Sequence, residues 1–315
     1  MGELSMRESY GRALADYAAL NPKVLAVDVD TSASTLTHFF AAKYPERFYN
    51  VGIAEPCAVD VGAGLALGGY IPFVNAFAAL LALRSLEQIR TCVCYTRTNV
   101  KIAASYAGIS DFKDGPTHFA VTDITNLRAL ANMTVIVPAD ANEAAQFVPL
   151  VAEYDGPVYL RISRGSTLPV HKAGEALGIG KGIIRREGGD VSLVATGTMV
   201  GRSMQAAELL AAEGVNARVV EIHTIKPLDV ELLAQSALKT GALVTVEEHA
   251  MIGGLGSAVA EALAERHPVV MQRVGLADEF CVTGRTVEGL LDHSGLAVAD
   301  IVEAARQVLK RKKKE

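Results

Sequence analysis

The chain has 315 residues, half of them hydrophobic, with 28 Gly, few aromatic residues and no Trp. That length can bury two cores of ordinary domain size, and the composition suits parallel strands alternating with Ala-rich helices better than an all-β sandwich. A net charge of −5 and a pI near 5.9 create no field attractive to nucleic acid or to an anionic membrane surface, and no apolar run approaches a membrane span.

In chain order, a helical pattern at residues 7–20 precedes a Val/Leu/Ala run at 24–27 that reads as a buried strand. Helices are expected at 56–67 and 76–92, and apolar strand runs at 99–104 and 134–137. Asp140 then caps a helix at 142–154, and a further strand follows at 158–162. Buried strands alternating with helices imply parallel β-α-β wiring. Between 165 and 190 the periodicity lapses into Gly, Pro and mixed charge, so the expected division is a first domain at 1–167, a linker at 168–189 and a second domain at 190–315. The second domain should carry strands at 191–195, 217–222, 242–246 and 269–274, with helices at 199–212 and 255–266. The expected fold is α/β, with two domains that are each a mostly parallel sheet flanked by helices.

Four cysteines, Cys57, Cys92, Cys94 and Cys281, are too few for a disulfide framework, and no Cys-x-x-Cys or Cys/His cluster has zinc spacing. The cytoplasm is the expected compartment. The run Lys310-Arg311-Lys312-Lys313-Lys314 reads as a solvated end that complements the dipole of a last helix.

The most informative stretch is Phe48-Tyr49-Asn50-Val51-Gly52-Ile53-Ala54-Glu55-Pro56, an apolar segment that ends on a carboxylate and runs into the small-residue helix beginning near Val61-Gly62-Ala63-Gly64. Taken alone, Glu55 is either a helix N-terminal charge or a reactive acid in apolar company. The glycines follow the helix start, so close packing explains them better than a phosphate loop.

This segment resembles the pyrimidine-binding segment of the transketolase family, and further motifs follow in that family's order. They include Pro72-Phe73-Val74-Asn75-Ala76-Phe77, Asp114-Gly115-Pro116-Thr117-His118, Val137-Pro138-Ala139-Asp140, Arg161-Ile162-Ser163-Arg164-Gly165 and His223-Thr224-Ile225-Lys226-Pro227-Leu228-Asp229. Glu247-Glu248-His249 before Gly253-Gly254-Leu255-Gly256 completes the series, so the resemblance covers essentially the whole chain. It implies a thiamine diphosphate enzyme in which Glu55 hydrogen-bonds the pyrimidine N1′ and selects the tautomer that takes the thiazolium C2 proton. Phe77, 22 residues after Glu55, matches the aromatic ring stacked on the aminopyrimidine, and Asp30 matches a residue near the thiazolium. Asp114 and His118 match groups that hold the donor's hydroxyl and carbonyl oxygens, with His118 also moving protons. Arg7, Ser34 and Arg164 match contacts to a sugar phosphate.

The family's magnesium and diphosphate motif, Gly-Asp-Gly followed downstream by Asn, does not occur here, and Lys113-Asp114-Gly115 belongs to the Asp-Gly-Pro-Thr-His element. The resemblance therefore implies a split enzyme. A separate N-terminal-section subunit would hold Mg2+ and the diphosphate in an α2β2 assembly acting on small sugars, and no metal ligand is expected from this chain. Glu247-Glu248-His249 is expected to be scaffold, since adjacent acids on a strand point in different directions. Tyr106 stands eight residues before Asp114 where His is usual, Phe119 replaces Gln, and Pro56 replaces Gln after Glu55. These departures predict a more aromatic, less cationic pocket suited to a specialised ketose. A 1-deoxyxylulose-5-phosphate synthase fragment, the β chain of a 2-oxoacid dehydrogenase and a non-catalytic paralogue are the rival readings.

Overall fold

Val, Ile, Leu and Ala runs too short for helices, bounded by turn residues, bury strands on both faces. The computed structural model describes residues 5–172 and 174–313, and these runs appear in it as two sheets. The first strands are β1 (Val24–Asp28), β2 (Phe48–Asn50), β3 (Ile71–Phe77), β4 (Lys101–Ser105), β5 (Thr134–Ile136) and β6 (Val158–Ile162). Then come β7 (Ile183–Arg186), β8 (Val191–Ala195), β9 (Ala217–Glu221), β10 (Thr224–Lys226), β11 (Ala242–Ala250) and β12 (Val270–Leu276). The first sheet has the order β10-β5-β6-β4-β3-β1-β2 and the second β12-β11-β8-β9-β7. Every pairing is parallel except β10 with β5 and β7 with β9, so the expected pair of mostly parallel α/β sheets is present.

Several elements agree with the sequence pattern to the residue, among them β6, β8 and the helices Met199–Ala212 and Leu255–Arg266. The expected helix at 76–92 is not continuous. Ala76 and Phe77 end strand β3, a helix runs over Ala78–Arg84, and the chain continues as Leu86–Gln88 and a π-helical turn at Ile89–Tyr95. Pro72 lies inside β3, which is central in its sheet, and a central-strand proline is what hides this strand from a propensity reading.

The two sheets share structure. β10 follows the second sheet's β9 in sequence but pairs with β5 of the first, and Val137 N–H donates to the His223 carbonyl at 2.7 Å. Glu248 on β11 is buried and accepts from Ile109 N at 2.8 Å and Thr198 Oγ1 at 2.7 Å. Gly108 lies against that carboxyl at φ 61, a place where a Cβ would strike it. Glu247 turns the other way and accepts from the first amides of the helix Leu255–Arg266, at 2.6 Å from Leu255 N and 2.7 Å from Gly256 N. The adjacent acids thus face opposite sides and cap structure, as the alternation of a strand dictates.

His249, next in sequence, is buried beside Arg161, and burial lowers its ring to about 4. Its ring should therefore stay neutral from pH 7 down to about 4, which NMR titration of its Cε1 proton would follow. A midpoint above 6 would contradict this burial. The unfolded ring takes its proton near 6.5, so this group's contribution to stability falls as pH drops from 6.5 to about 4 and is constant below.

At the C-terminus the helix Val298–Lys312 has a bonded rather than a free end. Lys312 Nζ donates to the carbonyls of Thr240 at 2.6 Å and Asp190 at 3.1 Å, and Arg311 Nη2 to Met271 O at 2.7 Å. Lys314 lies outside the described residues. No helix among the described residues is long and apolar enough to cross a membrane.

Candidate active site at the carboxyl edge of the first sheet

Register aligns the carboxyl ends of the central strands: Phe77 pairs with Ser105 and Ser105 with Ile162. Residues that leave these strands therefore emerge on one edge, where parallel α/β sheets place ligands. Phe77 is the last residue of β3, Tyr106 the first after β4, and Arg164 the second after β6.

Tyr106 is the centre of the group. It has φ 62, and its ring lies 4.3 Å from that of Phe77 at 34°. Its hydroxyl accepts from Arg7 Nη1 at 2.7 Å, which leaves the Tyr106 O–H proton free to donate to another acceptor. Arg164 Cζ stands 5.0 Å from the same ring. Arg7 Nη1 also donates to the Ser34 carbonyl at 2.6 Å. The helix Met6–Leu20 brings Arg7 here, and Tyr10 one turn later anchors it by donating to the buried Asn75 Oδ1 at 2.6 Å. His118 approaches Phe77 edge-on at 6.4 Å, its Nδ1 3.0 Å from Thr117 Oγ1. Arg7, Ser34, Phe77, Tyr106, His118 and Arg164 thus form one connected patch with two guanidinium groups.

Other expected residues occupy separate positions. Asp30 is exposed at φ 68 and accepts from Asn50 Nδ2 at 3.0 Å. Its neighbour Asp28 is the buried one, accepting from Thr31 N at 2.7 Å and Thr37 Oγ1 at 3.1 Å, while burial still raises its carboxyl above the ordinary range. Glu55 begins the helix Glu55–Leu67 and is only 3% exposed. Its carboxyl has a cationic neighbour that the motif did not include, Arg84 at 3.6 Å on the mostly exposed end of the helix Ala78–Arg84. The company of this acid is therefore less uniformly apolar than its sequence neighbours imply.

Asp114 is exposed, and its amide donates to the Asp111 carbonyl at 3.1 Å. Asp111, which no sequence motif singles out, is fully buried and receives Arg164 Nη1 at 2.8 Å. Burial raises its carboxyl to about 6, the Asp114 carboxylate adds to the rise, and Arg164 and His118 oppose it. Its one signal in the chain is an Asp-x-x-Asp spacing. Gly115 at φ 83 faces the Thr283 methyl, and Gly284 N–H donates to Phe112 O at 2.9 Å, so the second domain backs the 111–118 loop. Phe119 does not add an aromatic wall to the site. It is 5% exposed and packs in the second core cluster with Ile109 and Ala139.

One end of the first parallel sheet thus carries an aromatic pair with two guanidinium groups, and a nearly buried acid opens the helix Glu55–Leu67. The chain belongs to the transketolase family: it matches Transketolase, pyrimidine binding domain, over residues 2–169 and Transketolase, C-terminal domain, over residues 180–301. It is 39% identical to the 6-deoxy-6-sulfo-D-fructose transketolase subunit SqwH of Clostridium sp. (strain MSTE9), covering 98% of this chain and 95% of that one. It is 35% identical to an apulose-4-phosphate transketolase subunit of Phocaeicola vulgatus, covering 98% of each. A solved split gene transketolase, described as an inactive beta4 tetramer, superposes with TM-score 0.90 at 45% identity over 99% of this chain and all of that one.

Proposed function

We propose that this chain is the pyrimidine-side subunit of a two-subunit transketolase, which moves a two-carbon ketol unit from a ketose to an aldose. A separate N-terminal-section subunit would hold the diphosphate and Mg2+ in an α2β2 enzyme of the cytoplasm. The carrying observation is the match to relatives that are themselves transketolase subunits over 95% and 98% of their length, whereas the chain spans 48% of the matched 1-deoxy-D-xylulose-5-phosphate synthase of Symbiobacterium thermophilum.

Thiamine diphosphate is the cofactor of the family, and the donor set suits its aminopyrimidine. Glu55 offers a nearly buried carboxyl to a ring nitrogen, and Phe77 is half-buried with ring surface left to stack on. When bound, the cofactor supplies a nucleophilic carbon for the donor carbonyl. Glu55 would hold the proton at the pyrimidine N1′, and Asp30 would stand towards the thiazolium. Asp114 and His118 would orient the donor's oxygens, with His118 moving a proton. Arg7, Arg164, Ser34 and the Tyr106 hydroxyl would hold the anionic end of the ketose. Tyr106 takes the place of a cationic His, so the selectivity of the pocket is assigned to the Tyr106 and Arg7 pair and not to Phe119.

The chain is purified, mixed with its candidate partner, thiamine diphosphate and Mg2+, and assayed for ketose-to-aldose transfer. Transfer without CO2 release is expected in the mixture alone. Full activity of the isolated chain, or stoichiometric CO2 release from a 2-oxo acid, would sink the reading. Arg164→Ala should raise KM for an anionic ketose roughly 10- to 100-fold, the loss of charged hydrogen bonds, with a smaller change in kcat.

A further inference from the structure

Away from that edge, three side chains from distant parts of the sequence meet in a closed space between the sheets. Glu143 lies on the helix Ala141–Glu153, His171 in the segment connecting the sheets, and Glu221 at the end of β9. All three are buried, and one potential ligand atom from each lies within 4.8 Å of the others.

Their geometry does not suit hydrogen bonding among themselves. His171 Nε2 is 3.5 Å from Glu143 Oε1 and 3.3 Å from Glu221 Oε2, and neither His171 nitrogen has a hydrogen-bond partner. Glu143 Oε1 and Glu221 Oε1 are also buried without one. Leaving so many polar atoms unpaired in one place is costly. Two donors bound to one cation of the zinc class at tetrahedral angles stand roughly 3.3–3.6 Å apart, which matches both separations from His171 Nε2; because Arg185 already holds Glu221 Oε2, Glu221 would turn its unpaired Oε1 to the cation.

The outer contacts are those that ligands need. Glu143 Oε2 accepts from Ala139 N at 2.5 Å, which fixes the carboxylate and turns Oε1 inward. Arg185 Nε donates to Glu221 Oε2 at 2.5 Å. Asp140 Oδ2, fixed by the amides of Val170 and His171 at 2.7 Å, stands 3.4 Å from His171 Nδ1, so a small rotation of the ring would complete the carboxylate-to-imidazole bond that orients a metal-bound histidine. Asp140, Glu143, Glu175 and Glu221 face Arg185 as their one guanidinium among these contacts, so the cluster has a surplus of negative charge that a divalent cation reduces. A surface cavity of about 520 Å3 lies next to the cluster, lined by Val170, which precedes His171, and by Arg185, which bonds Glu221.

We propose that Glu143, His171 and Glu221 form a binding site for a divalent transition-metal cation of the zinc class, which ties the helix Ala141–Glu153, the connecting segment and the second sheet together. Nothing in the local sequence spacing betrays it, since the ligands are 28 and 50 residues apart. The competing occupant is protons: burial lowers the His171 ring, but the Asp140 and Glu221 carboxylates overcome this and raise it to about 9.

The full chain, freed of partner subunit and thiamine diphosphate and stripped with a chelator, is titrated with Co2+ and followed by its visible ligand-field bands. One saturable equivalent per chain, displaced by Zn2+ and accompanied by a rise in melting temperature, is the expected result. His171→Gln and Glu143→Gln, each checked for native circular dichroism, should weaken binding by at least about tenfold. A folded wild-type chain without a saturable Co2+ spectrum, with His171 charged at neutral pH by NMR, would overturn the site. Wild-type binding retained in both variants would overturn it too.

Discussion

Glu55→Gln is expected to lower kcat of the assembled enzyme by roughly 10²- to 10⁴-fold, the range of a lost general acid–base group, while the melting temperature stays within a few degrees of wild type. The substitution keeps the length and planar end of the side chain and exchanges one carboxyl oxygen for an amide NH2. What it removes is the ability to hold a proton against a ring nitrogen. Glu55 is 3% exposed at the first residue of its helix, so water has little access to replace it in that task. Its one ion-pair partner among the described residues is Arg84 at 3.6 Å, whose side chain is 58% exposed, so the stability lost with that pair is small. Steady-state rates with partner, Mg2+ and cofactor, beside a calorimetric scan, separate the two effects. A fall in kcat of less than about threefold, with the fold intact, would remove Glu55 from the proton path.

The strands that were legible are short, mostly apolar runs buried on both faces. Val158 to Ile162 and Val191 to Ala195 are wholly buried, and a run of that kind with turns at each end has few other uses. β3 was not legible, because Pro72 argues against a central strand and the Ala/Leu run that follows reads back through Ala76 and Phe77 as helix. The consequence reaches the site, for Phe77 owes its place beside Tyr106 to ending a strand. β10 was hidden for a different reason. Three residues after β9 cross to the other sheet, and no local pattern records which sheet a strand joins.

In the candidate site, the residues named from the sequence are those that stand in motifs, and the residues that contact them carry none. Arg7, Tyr106 and Arg164 stand in one patch. Asp111, which receives Arg164, and Arg84, which meets Glu55, carry no motif of their own and become visible through distance alone. Phe119 illustrates the converse: its identity was noted as a pocket feature, but the side chain is buried in the second core cluster.

The same logic gives the largest stability effect to a residue with no assigned chemistry. Arg161 at the end of β6 is buried, and its Nε donates to Asp123 Oδ2 at 2.7 Å. Its Nη2 donates to the carbonyls of Ala120 at 2.9 Å and Glu248 at 3.0 Å, so one guanidinium joins the first sheet, the loop behind the site and the second sheet. Burial opposes the charge, but Asp123 more than compensates and holds the guanidinium above its ordinary range. Tyr159 donates a further hydrogen bond of 2.7 Å to the same carboxylate oxygen. Arg161→Met preserves much of the side-chain volume and strands Asp123 as a buried anion together with two buried carbonyls. It should cost about 3–5 kcal/mol in urea unfolding, the range for breaking one side of a buried ion pair. The Arg161→Met, Asp123→Asn double variant should recover about 1–3 kcal/mol of that loss, because the stranded group then carries no charge. A single variant within about 1 kcal/mol of wild type would mean that water or a rearranged loop takes over the role of Arg161, and the tie between the sheets would have to lie elsewhere.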